Sequence, residues 1–276
     1  MAYVLTQTSE HGTSNPIVAR LTIQSRNLMQ AFPLGMEKEN EVWAILHDKV
    51  QAQLLTCYDR WVEVSTREAE IIRGVEDGGV PTQAEGRVAN INTIQGLAPS
   101  AHAFLYAAKS ALRDVKSMIC AFFVESRRAK KRIEDGNYHN LKEWAEGRFG
   151  DADRLARLIG TNVEAWIDEV YAKRNAVEHP DGGSGVLHIS NFTAVQDPET
   201  RQWLGVRPMW ARNDEPASSI TDDMQAIIDN ILGFAEDMLA LSLLKSESAL
   251  PITICEIPQA KRDPNCPIRL SITIDQ

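Results

Sequence analysis

The sequence predicts a mainly α fold: an antiparallel helical bundle with added β-hairpins toward its end. Three observations carry this. Apolar residues recur every three or four positions over long stretches with few helix breakers, the period of one helix face. The pattern turns strand-like near residues 187–210 and 252–274. Clusters of Gly, Pro, Asp and Asn punctuate the chain between these stretches. At 276 residues the chain is long enough to bury a sizeable core.

Residues 1–36 are an N-terminal segment. Residues 37–248 are expected as one helical domain with a β-hairpin inserted at about 187–210, and residues 249–276 as a C-terminal β-hairpin extension. Within the domain, Glu37 to Arg73 carries Val42, Ile45, Leu46, Val50, Leu54, Trp61 and Val62 on one face, and Glu76 to Pro81 reads as a loop. A second long helix is expected from Ser100 to Glu134, striped by Ala101, Phe104, Leu105, Ala108, Leu112, Val115, Ile119, Phe122 and Phe123 and stopped by Asp135-Gly136-Asn137. A shorter helical stretch, Leu141 to Ile159, breaks near Gly147–Gly150. Thr161 and Glu164 have capping-box spacing and predict the start of the next helix, which Pro180 ends. Leu187–Val195 and Trp203–Trp210 read as strands joined by Asp197-Pro198-Glu199-Thr200, followed by a helix over Ser218–Lys245 and a hairpin of Ile252–Glu256 with Ile268–Ile274.

Composition bounds the function classes. Hydrophobic residues at 43% and charged residues at 24% fit a globular protein and argue against wholesale disorder. The longest apolar run, Ile227 to Leu244, is interrupted by Asp229, Glu236 and Asp237, so no membrane span is expected. Met1 to Gln7 lacks the basic segment of a secretory signal, which makes the cytoplasm the expected compartment. Cys57, Cys120, Cys255 and Cys266 show no CxxC or zinc-like spacing and are expected as free thiols. A net charge of −9 means that any nucleic-acid contact must be local. No histidine spacing suits a metal, and no Gly-rich loop precedes a helix, so neither metal nor cofactor is expected.

One segment carries chemistry: Tyr171-Ala172-Lys173-Arg174-Asn175-Ala176-Val177-Glu178-His179-Pro180. Arg174 lies four past Val170 and seven past Ile167, continuing the apolar stripe, where an arginine is costly to bury without a partner or ligand. Asn175 and His179 are four apart and share a face, so Asn175 could orient the imidazole. A helix C-terminus favours the imidazolium and so suits His179 for acid–base work. Arg, Asn and His without metal ligands suit RNA, whose 2′-hydroxyl is its own nucleophile. A histidine moves the protons, an arginine stabilises charge on the phosphate, and the products are 2′,3′-cyclic phosphate and 5′-hydroxyl ends.

Arg174, Asn175 and His179, in the order Arg-Asn-x-x-x-His near the end of a core helix, resemble the signature of the HEPN superfamily. The resemblance covers this motif and the helical context from about Glu37 to Lys245. It implies a bundle of about four to five helices and a homodimer in which two motifs form one cleft. It also implies catalytic roles for Arg174, Asn175 and His179. Many members are endoribonucleases of toxin–antitoxin, phage-defence or RNA-processing systems, so single-stranded RNA or tRNA is the implied substrate and an antitoxin or regulatory protein a further partner. Others keep the fold as non-catalytic RNA-, nucleotide- or protein-binding modules. Tyr171 and Lys173, beside the motif, and the basic cluster of Arg127, Arg128, Lys130 and Lys131 are the candidate RNA-binding residues.

Each residue also has a plainer reading. Arg174 and Glu178 are spaced for an intrahelical ion pair, His179 could simply cap the helix, Tyr171 could be core, and the basic cluster could complement the dipole at the end of a long helix. A helical scaffold with an accidental motif would need nothing more.

Overall fold

The structure, a computed structural model, describes residues 10–77, 92–196, 199, 203–246 and 252–274. It is mainly helical with small antiparallel sheets, the class that the periodicity predicts. Most of the expected loop after Glu76 and most of the Asp197–Thr200 turn lie outside the described residues.

Helix α1 runs through Pro16–Val18, Ala19–Gln24 (in π form) and Ser25–Gln30 without a break. Asn15 opens it, accepting from the Ile17 N–H at 2.9 Å, with Pro16 in the first turn. Helix α2 is likewise continuous through Met36–Ala44, Ile45–Gln51 (π) and Ala52–Glu76. Its later stripe is Leu54, Cys57, Val64 and Glu68, all buried. Val62, expected on that stripe, is one position off it and 37% exposed.

The expected single helix from Ser100 to Glu134 is two helices: α3 (Leu97–Phe123) and α4 (Arg127–Asp135). The break falls at Ser126, whose backbone is extended and whose hydroxyl accepts from the Ala129 N–H at 3.5 Å; a serine that caps a new helix competes with continuing the old one. Helix α5 (Tyr138–Phe149) follows and stops at Gly150, where φ is +92°. The next helix, α6, runs through Arg154–Asn162, Val163–Ile167 (π) and Asp168–Glu178. It does not start at Thr161. Asp153 caps it, accepting from the Leu155 N–H at 2.9 Å, while Glu164 pairs with Lys142 at 2.8 Å instead of closing a capping box.

Each of the two expected strands after α6 is split. Strand β1 (Leu187–Ser190) pairs antiparallel with β4 (Met209–Arg212), and β2 (Thr193–Gln196) with β3 (Trp203–Val206). The first break is at Asn191, whose amide bonds the Ile94 N–H at 2.9 Å and the Ile94 carbonyl at 2.8 Å. The second is at Arg207-Pro208, where proline has no ladder donor. Strand β5 (Ser218–Ser219) adds to β4, then α7 (Ile220–Lys245), β6 (Ile252–Glu256) and β7 (Leu270–Ile274) complete the chain. Cys57, Cys120, Cys255 and Cys266 are free thiols.

The chain divides into two compact units, residues 1–54, 110–165 and 231–276 in one, and 55–109 and 166–230 in the other. The first is cored by Leu21, Leu28, Leu46, Leu112, Ile119, Leu141 and Leu239. Within it Tyr138 donates to the Leu112 carbonyl at 2.7 Å, and buried Lys116 donates to the carbonyls of Glu134, at 3.1 Å, and Gly136, tying off the end of α4. The second is cored by Phe104, Leu105, Ile167, Val170, Phe192, Trp210 and Met224. Gly205 belongs to that packing, since a Cβ there would come within 2.9 Å of the Phe192 ring. Among the described residues, no helix is long and apolar enough to cross a membrane.

Lys116 gives a pH signature. Burial brings its pKa down from 10.5 to about 8. Between those values the unfolded chain binds more protons than the folded one, so this group's contribution to stability rises with pH across that window. The stability of wild type minus that of Lys116→Met should therefore increase by roughly 1–3 kcal/mol between about pH 7.5 and pH 10, as read by urea unfolding. A flat difference would contradict it.

Candidate active site

The Arg174–His179 segment closes α6 in the second unit. The helix ends where the sequence places its end: His179 leaves helical geometry at φ −133° and ψ 69°, its N–H still bonded to the Asn175 carbonyl at 2.8 Å. The chain turns at once, with the Gly182 N–H donating to the His179 carbonyl at 2.8 Å. A side chain at Gly182 would press on that oxygen at 3.0 Å. The imidazole is thus held out at a helix C-terminus, 69% exposed.

Arg174 points inward. Its side chain is 15% exposed, and its guanidinium carbon lies 4.8 Å from the centroid of the Tyr106 ring on α3, a cation–π arrangement. It forms the intrahelical ion pair with Glu178 that the spacing allows. Its Nε is buried and, among the described residues, has no hydrogen-bond partner. The Glu178 Oε2 that meets Arg174 also lies 3.4 Å from His179 Nε2. One carboxylate oxygen therefore meets two of the three residues that the motif singles out, Arg174 and His179.

Asn175 does not orient the imidazole through its side chain. Its Oδ1 accepts from Lys109 Nζ at 3.0 Å and lies 3.5 Å from a terminal nitrogen of Arg174. Lys109 also sits over the Tyr171 ring at 5.2 Å, so Tyr171 is partly covered by a cation of its own protein. Burial, reinforced by the Arg174 charge, holds the Lys109 ammonium below the ordinary lysine value. Two cations converge on one neutral amide oxygen, with the Glu178 carboxylate offsetting the Arg174 charge.

Lys173 departs from the expected RNA-binding position. It lies three residues from both Val170 and Ala176, on the buried stripe, and is only 9% exposed. Its ammonium is engaged by Glu169 at 2.7 Å and lies 5.5 Å from the centroid of the Trp210 ring. The basic cluster belongs to the other unit, where Arg127, Arg128 and Lys131 are exposed on α4 and Lys130 pairs with Glu41 at 2.7 Å. Because the long helix is broken, these cations sit at the start of α4. There the helix dipole opposes them, so the dipole-complement reading of the cluster fails.

Sequence reasoning missed Tyr106 and Lys109. They lie far upstream of the motif on α3, and only packing brings them to it; a solvent-leaning Tyr and Lys three apart carry no local signal. Among the described residues, no group of three or more His, Cys, Asp or Glu side chains is placed to hold a metal ion. Comparison with protein-family models, with curated proteins and with solved structures finds no match for this chain.

Proposed function

We propose that the chain is a metal-independent endoribonuclease of HEPN type, working in the cytoplasm as a homodimer on single-stranded RNA or tRNA. The observation that carries this reading is the Glu178 oxygen shared by Arg174 and His179. It occupies the place where a substrate phosphate oxygen would meet one group that binds charge and one that moves a proton. Arg174 and Lys109 hold the scissile phosphate and offset the charge that builds on it. The 2′-hydroxyl loses its proton, its oxygen bonds to phosphorus, and the P–O5′ bond breaks as the leaving oxygen is protonated. His179 serves one of these transfers and the motif of a second copy the other. Asn175 positions Lys109, and exposed Tyr106 offers a ring for a base. The exposed cations of α4 add sequence-independent phosphate contacts. A toxin-like or phage-defence setting, with an antitoxin or other regulatory protein, fits such an activity.

The test is incubation of the full chain with several single-stranded RNAs and tRNA in EDTA, followed by end analysis. Cuts bearing 2′,3′-cyclic phosphate and 5′-hydroxyl ends support the reading; intact RNA across the set defeats it. Glu178 supplies a sharper arm. An ion pair of this kind is worth about 0.3–1 kcal/mol, and Glu178→Gln removes a carboxylate that competes with phosphate for Arg174. RNA affinity in filter binding should rise about 2- to 5-fold; a fall would mean that Glu178 supports the site.

A second reading is favoured by the occupied state of Arg174, held between Glu178 and Tyr106 in a chain of net charge −9. In it the protein is a non-catalytic module that binds RNA, a nucleotide or a protein partner. That reading expects binding to survive His179→Ala unchanged.

A further inference from the structure

The first unit holds a cleft of about 660 Å3, within the range of small-molecule sites. Four elements wall it: α6, α7, β6 and the start of β7, where Leu270 follows Arg269. The first part of α6 contributes Arg154, Arg157, Leu158 and Thr161, spaced by three or four along one helix face. The end of α7 contributes Leu241 and Leu244, and β6 contributes Ile254. Leu244 is 40% exposed, one of the few large apolar side chains of the described residues left so open.

The charges are unequal in kind. Both carboxylates at the rim are already paired: Asp237 with Arg269, and Glu256 with Arg262 at 2.9 Å. Arg154 and Arg157 are exposed and, among the described residues, have no ion-pair partner. Arg154 also opens α6, next to the Asp153 cap, whose carboxylate is taken up by the Leu155 and Ala156 N–H groups and by Lys245. A chain of net charge −9 thus presents, among its described residues, two guanidinium groups without an ion-pair partner beside an apolar wall.

We infer that this cleft binds a small organic anion with an apolar body. Its phosphate, sulfonate or carboxylate head meets Arg154 and Arg157, and its body lies against Leu158, Leu241, Leu244 and Ile254. The two arginines supply a planar, bidentate grip that lysines would not. The site owes nothing to the RNA-cleavage reading, since its residues and those around Arg174 lie in separate units of the chain.

The test is fluorescence titration of the full-length protein with 8-anilinonaphthalene-1-sulfonate, an apolar aromatic sulfonate. One saturable site is expected, with affinity lowered at least about 10-fold in Arg154→Gln/Arg157→Gln, two exposed changes that leave thermal unfolding in place. Leu241→Asp, which keeps both arginines but spoils the wall, should weaken binding as well. Competition with AMP and with dodecanoate separates a nucleotide-like ligand from a fatty-acid-like one. Absent saturation, or saturation untouched by the double variant, overturns the inference.

Discussion

His179→Ala should lower RNA cleavage by at least about 100-fold while leaving the fold as it is. The imidazole is 69% exposed, so its loss changes stability by no more than about 0.5 kcal/mol. Arg174→Ala should lose activity by about 100- to 1000-fold and also lower the melting temperature, because the guanidinium packs on Tyr106. The two variants therefore fail differently: one in activity alone, the other in activity and stability. Arg174→Lys separates charge from shape. A lysine keeps the cation but loses the planar fork and its stacking, so it should restore little activity. Cleavage rates of the three variants, each normalised to its folded fraction, check this. Undiminished cleavage by His179→Ala would place the chemistry elsewhere.

The long helices were legible because their apolar period is set by burial, and burial acts along the whole length of a helix. Their boundaries were less so. The Ser126 cap was hidden inside a run that stays helical on both sides of it, and the Thr161–Glu164 spacing imitated a cap that Asp153 supplies eight residues earlier. Helix α1 had its Asn-Pro start in plain sight but too short an apolar pattern to stand out. The site divides in the same way. Arg174 on the buried side, its pairing with Glu178 and His179 at the helix end follow from local periodicity. Lys109, Tyr106 and the true partner of Asn175 depend on α3 lying against α6, which no local spacing encodes. Lys173 shows the limit from the other side. Its charge suggests a surface residue, but Glu169 and Trp210 let it stay on the buried stripe.

The largest loss of stability should come from Glu236→Ala. In the sequence this residue only interrupts an apolar run. In the first unit its carboxylate is fully buried and takes hydrogen bonds from Arg20, from Gln24 at 2.6 Å and from Arg269 at 3.0 Å. The Gln24 side-chain amide oxygen, Oε1, in turn accepts from the backbone N–H groups of Arg269 and Leu270, each at 2.6 Å. Helix α1, helix α7 and strand β7 are thus tied through one acid. Among the described residues, removing it strands Arg20, only 12% exposed, and leaves Arg269 with Asp237 as its remaining acid. Breaking a buried pair in this way costs about 3–5 kcal/mol, so the urea midpoint should fall with little change in slope. Arg20→Met on top of Glu236→Ala should cost less than the sum of the two single changes, because the arginine left unpaired is gone. A cost below about 1 kcal/mol would mean that water reaches this acid and that the hairpin is held by its own apolar face.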